Sequence, residues 1–117
     1  MNKVDDKLFE EMKTLINEQN EENFLFFISK NEYLLKIDPI LFIANHVSFY
    51  AVREDISKAI EVVTYYKNKP YISMKVEDFL NELYEELTSL NKEKSKNYSI
   101  DKLKEMLFSN NDIPIFF

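Results

Sequence analysis

The 117-residue chain is the length of one domain and can hide roughly two thirds of the surface its unfolded form exposes, enough for a core without covalent staples. It has no cysteine, which excludes disulfides and thiolate metal sites, and its net charge of −6 works against the basic surface a general nucleic-acid binder needs. It also has no glycine, so the phosphate loop, the dinucleotide fingerprint, the G-x-S-x-G elbow and the standard calcium loop cannot be written.

The opening MNKVDDKLFEEMK carries acids every few residues and is not expected to be a signal peptide. No stretch approaches the ~18 consecutive apolar residues of a membrane span. A cysteine-free acidic chain of this kind fits a reducing compartment, so a cytoplasmic location is expected, with no membrane partner. Val4, Leu8, Met12, Leu15 and Ile16 fall at helical spacing and predict a first amphipathic helix. Asp5 and Asp6 suit the positive end of its dipole.

A second short helix is expected over residues 21–29, with Phe24, Phe27 and Ile28 as its stripe and Leu25 and Phe26 widening it. FLFFI could by period alone also be a buried strand; Glu21 and Glu22 tilt it to helix. Residues 32–37 allow one more turn. Asn20, Asn31, Asn68, Asn91 and Asn110 lie between the periodic segments. Asparagine tolerates the left-handed conformation and caps backbone groups, so these residues are expected to punctuate the helices and take over part of glycine's work.

Asp38-Pro39 is a helix start, with a capping carboxylate followed by a preset φ. ILFIANHVSFYAV, residues 40–52, should follow as helix. Ile40, Ile43, Ala44, Val47, Tyr50 and Ala51 share one face; Phe42 and Phe49 take the other, with His46 beside them and Asn45 and Ser48 as a narrow polar edge. A helix apolar on two sides is normally packed from both. The chain's single histidine is therefore expected inside, hydrogen-bonded. If the outer helices leave them uncovered, Phe42, His46 and Phe49 form an aromatic partner-binding patch instead.

Residues 53–55 either turn the chain or form the exposed face of one long helix. Ile56, Ala59, Ile60, Val63 and Tyr66 resume the pitch, and Pro70 closes the segment. With Tyr50, the Glu54-Asp55 turn, Ala59 and Pro70, residues 40–71 resemble a tetratricopeptide-like helical hairpin, departing from it at Val47 and Tyr66, where that family generally has small residues. The resemblance implies a helical hairpin and nothing about activity. YYKNKPY, residues 65–71, sets tyrosines beside lysines. Such a mix can stack bases, but more often it ends a helix by packing and capping.

The next helix is the clearest: Val76, Phe79, Leu80, Leu83, Tyr84, Leu87 and Leu90 step by threes and fours, with Ser73 as the expected cap. It also carries Glu77, Asp78, Glu82, Glu85 and Glu86 with no Lys or Arg between them. Asp78, Glu82 and Glu85 share a face that is either a solvated surface or a docking stripe for a basic partner. The polar NKEKSKN loop follows, then a last helix capped by Ser99 with Ile100, Leu103 and Leu107. The tail IPIFF either packs on the core or docks in a partner's groove.

Five to six helices with short loops make this an all-α bundle over residues 1–117. One histidine without cysteine offers no zinc set, and no catalytic constellation is legible. No cofactor, metal or enzymatic activity is expected. The expected function is binding to another protein, a basic nucleic-acid-handling one being a candidate, as a stoichiometric inhibitor of the immunity-protein or phage anti-defence type. The alternative is a helical adaptor or accessory subunit of a larger protein or ribonucleoprotein assembly. Direct nucleic-acid binding is not expected.

Overall fold

The computed structural model describes residues 3–69 and 73–93, the last three by backbone alone. Among the described residues six helices succeed one another: α1 (Lys3–Glu18), α2 (Glu21–Lys30), α3 (Leu34–Ile37), α4 (Pro39–Val52), α5 (Ile56–Lys67) and α6 (Met74–Glu93). No strand occurs among the described residues. The class is all-α. The expected last helix and the IPIFF tail lie outside the described residues.

Helix α4 is the centre. Asp38 starts it by accepting a hydrogen bond from Leu41 N at 3.2 Å, with Pro39 in the first turn. Every residue from 40 to 51 is buried, because α1, α3, α5 and α6 all pack against the helix. Helix α2 reaches it through Phe24, whose ring stacks on Phe49 at 4.4 Å. Cover therefore comes from all sides. The polar edge is buried too: Asn45 Nδ2 donates to Leu41 O at 2.9 Å and Ser48 Oγ to Ala44 O at 2.6 Å. Each buried Leu or Phe side chain contributes roughly 1.5–3 kcal/mol. Outside α4 the largest fully buried side chains are Tyr66 of α5, Phe24 of α2, Met12 and Ile16 of α1, Leu34 of α3, and Leu80, Leu83 and Leu87 of α6.

Residues 53–55 are a turn and not an exposed helical face. Glu54 takes the left-handed conformation (φ 60°). Its N–H donates to Ala51 O at 3.0 Å, and that of Asp55 to Tyr50 O at 2.9 Å. This pair of bonds is a Schellman closure. Asp55 then caps α5 through Lys58 N. At the end of α1, Gln19 is also left-handed (φ 56°), its N–H bonded to Leu15 O at 3.2 Å.

The asparagines meet the capping half of the expectation and not the left-handed half; Asn110 lies outside the described residues. Asn20 caps α2 in an extended conformation by accepting from Asn23 N, and Asn31 closes its end by donating to Phe27 O. Asn68 follows α5 at φ −92°. They cap, but the left-handed positions belong to Gln19 and Glu54. Asn91 ends nothing, since α6 runs through it to Glu93. Three more expectations change. Val4 is exposed and Asp5 buried, with Asp5 Oδ1 accepting from the Tyr33 hydroxyl at 3.2 Å. Leu25 and Phe26 do not widen the buried stripe of α2 but face outward. Tyr84 lies at the edge of the α6 stripe, partly exposed, under the Lys67 ammonium at 4.5 Å. Ser73 does cap α6, accepting from Val76 N at 3.4 Å.

A β-carbon in the left-handed region costs energy that glycine does not incur. Glu54→Gly is expected to stabilise the protein by about 0.5–1 kcal/mol, after allowing for glycine's greater entropy when unfolded. Urea unfolding measures this; a loss of stability would show that the Glu54 side chain supports the turn.

Candidate functional site

Three surfaces follow from the sequence. The first is the aromatic set on α4. Phe42 and Phe49 are wholly buried and His46 retains 7 % of its surface. They form no exposed patch, so this expectation is corrected: α2 and α5 cover them. Phe24 meets His46 edge-on at 5.7 Å, and Tyr66 meets both Phe42 and His46 edge-on, at 6.3 and 5.5 Å. The Arg53 guanidinium lies over Phe49 at 5.2 Å. His46 Nδ1 and the Tyr66 hydroxyl share a 2.7 Å hydrogen bond. His46 is the interior, hydrogen-bonded histidine that its apolar surroundings imply. Burial lowers its pKa to about 4, so the ring is neutral at pH 7.

The second surface is acidic. Asp78, Glu82 and Glu85 do come together: they line an open groove of about 520 Å³ with Phe79 and Ile40, flanked by Lys75 and Asn81. Ile40 belongs to the first turn of α4, so the groove lies where α6 crosses the start of the central helix. All three acids are exposed, and among the described residues none of them forms an ion pair.

The third is YYKNKPY. Tyr66 is core. Tyr65 sits under the Lys69 ammonium at 4.4 Å, and Lys69 also reaches Glu32 Oε1 at 3.3 Å. Tyr65 and Tyr66 touch edge-on at 5.1 Å. The stretch ends α5 by packing and pairing, as the structural reading of it expects. Pro70 and Tyr71 lie outside the described residues.

Sequence reasoning missed a polar relay linking three helices. The Tyr50 hydroxyl donates to Glu21 Oε2 at 2.8 Å, and Lys58 Nζ approaches the same oxygen at 3.4 Å. The Tyr50 bond, with help from Lys58, holds the Glu21 carboxyl below its usual range. Burial and that bond push the Tyr50 phenol up. Beside the relay a small pocket opens, lined among others by Leu25, His46 and Tyr65. The signal for it was the surplus of apolar residues in FLFFI, more than one helical stripe can bury. Among the described residues no three His, Asp or Glu side chains gather as a metal site requires, and no helix is long and apolar enough to cross a membrane.

His46 also makes stability depend on pH. Its folded pKa lies below the ordinary 6.5. The unfolded chain therefore takes up a proton as pH falls through 6.5, while the folded chain resists until about 4. Stability is complete above 6.5 and drains away over that window. Between pH 7 and pH 5 the loss is on the order of 2 kcal/mol. Glu21 loses its contribution only lower, as pH falls through its depressed pKa. Urea unfolding at pH 7 and pH 5 should show the loss in the native chain and a much smaller one in His46→Phe. Equal pH dependence in both would contradict a buried neutral imidazole.

Set beside known proteins, the chain matches no family model, no curated protein and no solved structure, so the role of these surfaces rests on their own chemistry.

Proposed function

We propose that the protein acts by occupying a surface of another protein, as a small stoichiometric inhibitor of the immunity-protein or phage anti-defence type, with the α6 groove as its docking face. The observation that supports this reading is the convergence of Asp78, Glu82 and Glu85 on one groove that also has an apolar base, Ile40 and Phe79. Acids spaced three and four apart on a helix repel each other by a few tenths of a kcal/mol per pair. A partner of opposite charge relieves that repulsion and is steered in by it. The apolar base supplies the contact that holds it after encounter.

The partner this chemistry fits is a basic protein, such as an enzyme that handles nucleic acid in the cytoplasm. Nucleic acid itself would be repelled by the same carboxylates. The reading needs no cofactor and no catalytic step. A second reading, a helical adaptor or accessory subunit, is favoured by the outward-facing Leu25, Phe26 and Tyr65. An inhibitor silences its target at one-to-one stoichiometry; a subunit co-purifies with several proteins.

The test compares the native chain with the Glu82→Lys, Glu85→Lys double variant, whose changes lie on an exposed face. A partner retained by the native chain from its source cells is purified and its association followed by stopped flow at low and high salt. The reversal is expected to slow association by about tenfold or more, and salt to slow the native chain towards the same rate. Rates indifferent to both would contradict the proposal.

A further inference from the structure

A shallow pocket of about 230 Å³ opens between α2, α4 and α5, on residues that the α6 groove does not share. Leu25, Val62 and Tyr65 form its apolar walls, the buried His46 and Tyr50 its base, and the exposed Lys58 and Glu61 its rim; the Tyr50 hydroxyl is already bonded to Glu21. Sites for cofactors and drug-sized ligands usually run to about 300–1,000 Å³. This one is the size for a single side chain.

Its base holds an unused hydrogen-bonding atom. His46 Nδ1 is taken by the Tyr66 hydroxyl, while Nε2 has no partner among the described residues. Yet the one buried side-chain polar atom without a partner among those residues is Asn45 Oδ1. Nε2 is therefore reached from outside, and the pocket is where His46 meets the surface.

We propose that the pocket receives a tyrosine side chain of a protein partner, its ring against Leu25, Val62 and Tyr65 and its hydroxyl bonded to His46 Nε2. A phenol suits this base whichever way the Tyr66 bond runs. If Tyr66 donates to Nδ1, Nε2 carries the proton and the incoming hydroxyl accepts; if Tyr66 accepts, that hydroxyl donates. An indole can only donate, so it suits one tautomer of two. A phenylalanine would strip water from Nε2 and return no hydrogen bond.

The source is a protein because the apolar surface continues beyond the pocket. The walls themselves reach out of it, Leu25 being 41 % and Tyr65 51 % exposed. A free phenol would leave that rim wet. An aromatic anchor in a pocket, ringed by contacts that exclude water, is the arrangement of interface hot spots. The inference does not depend on the acidic groove.

The single histidine makes the test direct, because its imidazole gives one assignable set of NMR signals. N-acetyl-tyrosinamide, N-acetyl-phenylalaninamide and p-cresol are titrated at pH 7 into the full chain. The tyrosine compound is expected to shift the His46 ring signals saturably at millimolar concentration, and the phenylalanine compound to bind about fivefold or more weakly. Leu25→Arg, at the exposed mouth, should abolish the shift while leaving the ligand-free His46 signals in place. Should that variant disturb them, Tyr65→Lys serves in its stead. No shift with the tyrosine compound, or equal binding of the phenylalanine compound, overturns the proposal. Binding of p-cresol with exclusion of N-acetyl-tyrosinamide overturns it in favour of a free small phenol.

Discussion

Helix α4 gives almost nothing to water. Its residues from Ile40 to Ala51 are buried whatever direction they point, and a helix of that kind is stable only when other elements surround it. The remaining helices are arranged by this need. Helices α1, α3, α5 and α6 pack on it directly, and α2 adds the Phe24 ring. Polar groups caught inside bond back to the helix itself, as Asn45 Nδ2 and Ser48 Oγ do, or to a covering helix, as His46 does through Tyr66; among the described residues Asn45 Oδ1 is left without a partner. Charge is accordingly pushed to the outer faces, and the stripe on α6 is one result.

Much of this was legible because the signals are local. Asp38-Pro39 starts a helix by its own chemistry. The steps of Val76, Phe79, Leu80, Leu83, Leu87 and Leu90 mark one buried face, and all six are buried. The interior place of His46 follows from the lack of any polar face around it. What escaped depends on neighbours. Gln19 and Glu54 are left-handed because the hydrogen bonds that close α1 and α4 require it, and no side-chain preference announces that. Phe42 and Phe49 could be placed on the far side of α4, but whether α2 and α5 reach them is a fact about packing. The same is true of Leu25 and Phe26, which α2 leaves outside.

The candidate surfaces divide along the same line. The acids of α6 sit on one helix, so their shared face could be read from spacing alone. Their apolar companion Ile40 comes from another helix, and only the fold brings it to the groove. The pocket over His46 needs three helices at once, and the apolar surplus of FLFFI is its one trace in the sequence. Both surfaces rest on α4: one at its first turn and one along its middle. A rigid central helix would hold the two at a fixed separation.

The central claim is that α4 is the most completely enclosed element of the protein. Amide hydrogen exchange under native conditions tests it residue by residue. The amides of residues 43–51 should exchange only through global unfolding, with a protection free energy equal to that from urea denaturation and matched or undercut everywhere else. Faster exchange of α4 than of α1 or α6, through local opening, would contradict it.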